Sequence, residues 1–248
     1  VVTIQDLIPL DFPASMPNRL RRSAFRRIID SSIEAADAII VPSDVTGRSV
    51  VSHGGDPAKI TKVALWPSKI FRPSTEDEIE GARVRFAGGR PYIASLYHRK
   101  PHKNMKVIPA VAQKLSEQGA LLLCSGHPSD ALHGGLPNRP LSEDELRSFI
   151  AGSEAFLLPS SIEGFGLPVL EAFACGVPVV CGPRVGAAEG IDEALIVDVD
   201  DPLAIAEGLM KVAGTKPSRV LTTASQAATR TLGVYLGVVG VASSTDLL

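Results

Sequence analysis

The chain has 248 residues, of which 45% are apolar and 21% charged, and a formal net charge of −2. This is an ordinary globular composition, long enough for one large or two modest cores, and it provides no positive field to gather nucleic acid. Cys124, Cys175 and Cys181 are odd in number, sit in apolar runs and lack metal-ligand spacing, so reduced, buried thiols are expected rather than a disulfide framework or a metal site. No apolar run approaches the roughly 20 residues that span a bilayer, and the expectation is a soluble, cytoplasmic protein.

Strand-like runs alternate with segments of helical periodicity, the pattern of a parallel sheet covered by helices. Residues 1–5 read as a strand, 18–36 as a helix and 38–42 as a strand. Ser43 caps the next helix, and 59–65 reads as a further strand. The stretch 66–80, with Pro67, Pro73 and many charges, reads as a linker, which divides the chain into domains 1–72 and 73–214.

The second unit opens with a strand at 91–97, followed by a basic loop and a helix from about Asn104. Pro109 falls one turn into that helix and must kink it or delay its start. A strand at 120–126 follows. Ser142 and Glu145 form a capping box for a short helix, before a buried strand at 154–159. A helix over 167–175 has Pro168 in its first turn and Gly176 beyond its end. Strands at 178–181 and 194–199 and a helix from Asp201 to Gly214 complete the unit. The last stretch, 215–248, has little amphipathic contrast and reads as a weakly helical tail. The fold class is α/β, with a partial first Rossmann-like unit and a nearly complete second one.

Chemistry concentrates where strands end and helices begin. In the run from Glu163 to Glu171, Gly164 and Gly166 let backbone N–H groups approach an anion, and the following helix presents its N-terminus. Such loops lie at the carboxyl ends of parallel strands, where ligands bind. Glu163 and Glu171 can accept hydrogen bonds from two hydroxyl-bearing parts of an extended ligand. The basic loop His98-Arg99-Lys100-Pro101-His102-Lys103-Asn104 can neutralise a diphosphate in the ground state and as it leaves.

Glu163-Gly164-Phe165-Gly166-Leu167-Pro168-Val169-Leu170-Glu171, within the longer string 159–180, resembles the E-x7-E motif of glycosyltransferase family 4, retaining enzymes of the GT-B fold. By that resemblance Glu163 contacts the transferred sugar, Glu171 the ribose, and Gly164, Phe165, Gly166 and Leu167 the sugar and phosphates through their backbone. Lys103 takes the position of the family's phosphate-binding lysine, with Arg99 as the accompanying arginine, although strict spacing puts His98 in that place. Tyr97 stands where the family usually has glycine and narrows the cleft. Gln5 and Asp6 match the His-Asp pair that faces the reaction centre from the acceptor side. Glutamine holds a hydroxyl but cannot shuttle a proton, although retaining members are thought to let the departing phosphate take the acceptor's proton.

The resemblance implies transfer of a hexose from a nucleoside diphosphate sugar to a saccharide or lipid-linked acceptor in polysaccharide biosynthesis, with no cofactor and no metal. It also implies roughly 80 to 100 further residues of N-terminal domain before Val1, a missing partner segment. The alternative reading is a nucleotide-sugar-binding fragment with weak or no catalysis. An epimerase or phosphorylase of the same architecture is disfavoured by the string 163–180. Arg19, Arg21, Arg22, Arg26 and Arg27 give the first helix a basic face, read either as solvated or as a peripheral contact with the inner face of a membrane or a phosphorylated acceptor.

Overall fold

The computed structural model describes residues 1–132, 134–137, 139–189, 191, 194–217 and 222–240. The first part comprises β1 (Val2–Thr3), α1 (Ile8–Asp11), α2 (Arg19–Ala35), β2 (Ile39–Val41), α3 (Asp44–Ser52) and β3 (Ile60–Lys62). Its strands form a parallel sheet in the order β1-β2-β3. Short polar side chains start the helices. The Asn18 side chain accepts from Arg21 N at the head of α2, and the Ser43 hydroxyl accepts from Thr46 N at the head of α3, each satisfying an otherwise unpaired donor. α2 lays Phe25, Ile29 and Ile33 against Ile4, Leu7, Ile39 and Val41. Its other face is turned outward, with Leu20 83% and Ile28 64% exposed.

The second part comprises α4 (Glu76–Ala87), β4 (Ile93–Leu96), α5 (Ile108–Glu117), β5 (Leu122–Ser125), α6 (Glu143–Ala151), β6 (Ala155–Leu158), α7 (Leu167–Ala174), β7 (Val179–Cys181), β8 (Ala194–Ile196) and α8 (Pro202–Val212). Its sheet is parallel, in the order β5-β4-β6-β7-β8. The strands are nearly all apolar because both faces are covered. Ile93, Leu122, Cys124, Ala155, Leu157 and Val180 pack on one side with residues of α5 and α8. Ala94, Leu123, Phe156, Leu158, Val179 and Cys181 pack on the other with residues of α6 and α7. This is the period of two dictated by strand geometry. The three cysteines are buried free thiols, as expected.

Two readings of the sequence are corrected, and a third, the delayed start signalled by Pro109, is met. The charges at Glu76, Asp77 and Glu78, read as part of a linker, are the acidic first turn of α4, whose Thr75 and Glu78 form a capping box. No α-helix starts at Asn104, which adopts φ +54° between two 3-10 turns (Pro101–Lys103 and Met105–Val107). α5 begins at Ile108, with Pro109 at its N-terminus where proline lacks no needed bond.

The tail contains α9 (Ala224–Val238), started by a Thr223–Gln226 capping box. Its Ala227 and Val234 pack on Ile40 and Val63 beside the first sheet. The chain thus returns to its first part, and the weak amphipathic contrast reflects a contact made through an alanine. Residues 218–221 and 241–248 of the tail lie outside the described residues.

Candidate functional site

The second sheet builds outward from β4, to β5 on one side and then to β6 on the other. At such a switch point the loops leaving the two central strands diverge and open a crevice at their carboxyl ends. The loop after β4 carries Lys103, and the loop after β6 carries Glu163.

The structure joins these two residues. Lys103 Nζ donates to Glu163 Oε1 at 2.6 Å, and Ser160 Oγ donates to the same oxygen at 2.6 Å. Glu163 is only 7% exposed and its backbone N–H donates to the Arg184 carbonyl at 2.9 Å, so the carboxylate is fixed from both ends. Its charge is compensated by the ammonium and the hydroxyl, as a buried carboxylate requires.

Behind Glu163 the chain turns into α7. Gly166 occupies φ +96°, a conformation that side chains disfavour, and Pro168 sits in the first turn. Gly164 makes a close approach of another kind. A Cβ there would lie 2.4 Å from the Gln5 carbonyl oxygen and 2.6 Å from Asp6 Cβ. The end of β1 and the loop after β6 therefore meet at a glycine, and Gln5 and Asp6 are brought to the donor-side loop. The Asp6 carboxylate accepts from Ile8 N at 3.0 Å.

A cleft of about 640 Å³ lies along the basic loop, lined among others by Tyr97, His98, Arg99, Lys100, His127 and Ser161. That volume suits a drug-sized or nucleotide-sized ligand. Phe12 closes it from the first part of the chain. Tyr97 packs edge-on against His127 with centroids 5.1 Å apart, so the residue read as narrowing the cleft is one of its walls. Arg99 is exposed at the rim and does not join the Lys103–Glu163 pair. A smaller cavity of about 240 Å³ at the other end of the strands, beside Arg90, Gln118 and Met210, has no such convergence of charged loops.

Two groups of the basic loop, given no role of their own in the sequence, belong here. His102 is 4% exposed, and among the described residues its Nδ1 has no hydrogen-bond partner. Burial, reinforced by Lys103, lowers its pKa and so favours the neutral ring. Asn104 donates through Nδ2 to the Val199 carbonyl at 2.8 Å, which pins the end of the basic loop to the segment before α8. The positive φ that favours asparagine was the available signal.

Glu171 lies in α7, half-buried, and its pKa is raised to about 7, first by burial and then by the charge of Glu143. Its carboxyl therefore titrates near neutrality. Among the described residues no group of three or more His, Cys, Asp and Glu side chains is placed to hold a metal ion, and no helix is long and apolar enough to cross a membrane.

Residues 92–214 match the family model described as glycosyl transferases group 1. The chain is 26% identical over 234 residues to an O-antigen chain mannosyltransferase B of Escherichia coli, covering 85% of this chain and 60% of that protein. It is 29% identical over 172 residues to a sulfoquinovosyl transferase of Arabidopsis thaliana, covering 64% and 33%. It is 30% identical over 191 residues to a D-inositol 3-phosphate glycosyltransferase of Mycobacterium tuberculosis, covering 66% and 38%. The chain thus spans between a third and three fifths of these relatives.

Among solved structures, the sucrose-phosphate synthase of Thermosynechococcus elongatus aligns with a TM-score of 0.68 at 18% identity, over 94% of this chain and 63% of that one. The Anabaena HepE protein in complex with UDP-glucose aligns with a TM-score of 0.67 at 15% identity, over 97% and 72%. Both are likenesses of fold. Residues 92–214 are therefore a group 1 glycosyltransferase domain of the GT-B type.

Proposed function

We propose that the chain carries the donor side and part of the acceptor side of a retaining glycosyltransferase, which moves a hexose from a nucleoside diphosphate sugar to a saccharide or lipid-linked acceptor. The observation that supports this best is the buried Glu163–Lys103 pair at the switch point of the second sheet. In this reading residues 1–72 belong to the acceptor side and 73–214 to the donor side. The ammonium of Lys103, with Arg99 at the rim, neutralises the diphosphate and the charge that grows on it as the glycosidic bond breaks. The N-terminus of α7, with the backbone of Gly164, Phe165, Gly166 and Leu167, serves the same anion. Glu163 accepts hydrogen bonds from hydroxyls of the transferred sugar, and Glu171 from the ribose. Gln5 and Asp6 face the acceptor. Cations and helix dipoles do the work of a divalent ion, and no cofactor is used.

The test is product analysis with a panel of nucleotide sugars and saccharide or lipid-linked acceptors. Transfer with retained anomeric configuration is expected, and an inverted product contradicts the reading. A second reading, donor binding with little transfer, is favoured by Gln5, whose amide cannot carry a proton. Tight nucleotide binding without product from any acceptor would select it.

Glu171 makes donor binding depend on pH. Ribose hydroxyls donate to the carboxylate and lower its pKa in the complex, so binding expels a proton wherever Glu171 is protonated in the free protein. Affinity should rise with pH up to about 7, the free-state value, and level off above it. Glu171→Gln should flatten that profile in titrations between acid and mildly alkaline pH. The same shift has a stability consequence of opposite sense. The contribution of the protonated side chain is complete below the ordinary carboxylate range and is lost as the pH rises through about 7.

Gly164→Ala places a methyl group against the Gln5 carbonyl and Asp6, where backbone cannot yield as a flexible side chain would. Turnover should fall by about tenfold or more, the scale of a misplaced catalytic group, with the secondary structure intact by circular dichroism. Wild-type turnover in this variant would show that the close approach has no functional weight.

A further inference from the structure

Five polar contacts tie the loop after β6 and the segment after β7 to one end of α3, although each joins residues more than a hundred positions apart. The Ser43 hydroxyl donates to the Gly164 carbonyl at 2.5 Å. The Thr46 hydroxyl lies 3.1 Å from the same oxygen and 3.2 Å from the Gln5 carbonyl oxygen. The Glu189 carboxylate accepts from Asp44 N at 2.8 Å and Val45 N at 3.3 Å, and pairs with Arg48 at 2.6 Å. Ser43 and Thr46 are each 1% exposed. Gly186 fits against Ser43 only because it lacks a side chain, since a Cβ would lie 2.4 Å from Ser43 Cβ and 2.6 Å from the Gly164 carbonyl oxygen. Beneath these contacts Ile8, Val45 and Ile162 form a small cluster of their own.

We propose that Ser43 and Thr46 are positioning residues of the donor loop. From the first part of the chain they hold the Gly164 carbonyl, and through the adjoining peptide the Glu163 carboxylate, so that the loop is set for transfer only while the two parts are closed on one another. The chemistry fits this division of labour. A carbonyl oxygen has two lone pairs and can accept from both hydroxyls, with the single Thr46 proton also in reach of the Gln5 carbonyl. Among the described residues neither hydroxyl is hydrogen-bonded to a group of the basic loop. Glu189 stabilises the same closed contact by placing a negative charge at the N-terminus of α3, where the helix dipole favours it. Loss of either hydroxyl leaves the Lys103–Glu163 pair in place but frees the peptide that carries it. The inference rests on the transferase reading for its functional consequence, and on geometry alone for the clamp.

Hydrogen–deuterium exchange of the full chain tests the clamp without any ligand. Thr46→Val is the decisive variant because it keeps shape and leaves the Ser43 cap of α3 intact. Amides of the loop at 159–168 should exchange about fivefold faster, the equivalent of one neutral hydrogen bond. Those of β4, β5 and β6 should be unchanged, and Thr46→Ser should restore the wild-type rate. In turnover, Thr46→Val should lower kcat about fivefold with the donor KM little changed, because the interaction positions the loop and does not bind the nucleotide. Unchanged loop exchange overturns the proposal. So does acceleration spread evenly through both sheets, which would mark Thr46 as merely structural. A wild-type chain that turns over no nucleotide sugar removes the transferase reading, while the exchange result still decides whether α3 holds the loop.

Discussion

Glu163→Gln is expected to lower sugar transfer by about 10²-fold or more, the scale seen when one preorganised electrostatic group is removed from a reaction centre. The substitution is nearly isosteric and keeps an acceptor for Ser160, so the loop should remain built. What disappears is the negative charge 2.6 Å from Lys103 Nζ and half of the carboxylate's capacity to accept from sugar hydroxyls. Nucleoside diphosphate binding should stay close to wild type, because the anion is held by the basic loop and the N-terminus of α7. Single-turnover rates and equilibrium titration on the same protein separate the two effects. Unchanged turnover would remove Glu163 from the reaction centre.

Lys103→Ala should act on both binding and stability. The diphosphate loses its best-placed ammonium, and affinity should fall by roughly 10² or more if the contact is worth about 3 kcal/mol, as hydrogen bonds to charged groups can be. Glu163, whose side chain is 9% exposed against 20% for Lys103, is left with an uncompensated charge. Removing one partner of a buried pair costs about 3 kcal/mol. Adding Glu163→Gln to Lys103→Ala removes that charge and should recover most of the lost stability in urea melts without recovering any binding. A loss in the double variant equal to the sum of the two single losses would mean that the pair contributes nothing as a pair.

Much of this architecture was legible in the sequence because its signals are local. The alternation of β-rich runs and capped helices follows from short-range patterning, and the glycines, proline and glutamates of 163–171 mark a loop entering a helix. The errors arose where a local signal had two meanings. Glu76, Asp77 and Glu78 read as linker charges, yet acidic residues behind a threonine are also the first turn of a helix. Pro109 signalled a delayed start but could not say that 3-10 turns would fill the gap. α9 was weakly legible because it meets the first part of the chain through Ala227 and a partly buried Val234, a contact too small to stamp an amphipathic period.

In the site, residue types were legible and partnerships were not. Nothing in the spacing of Lys103 and Glu163 says that they meet, since that contact depends on β4 and β6 being neighbours in the sheet. The raised pKa of Glu171 depends first on the burial that packing brings and then on Glu143 from another helix. Ser43 looked like a helix cap and nothing more, because its second role requires the loop after β6 to lie beside it.

Calorimetric titration of the purified chain with a panel of nucleoside diphosphates and their sugars, UDP and UDP-glucose among them, tests the central claim most directly, with Glu171→Ala as the control. The account predicts saturable binding of one nucleotide series at a single site, markedly weakened in the control and weakened in the wild type below about pH 7. Folded protein that binds none of them, or binds them equally well without the Glu171 carboxylate, would contradict it.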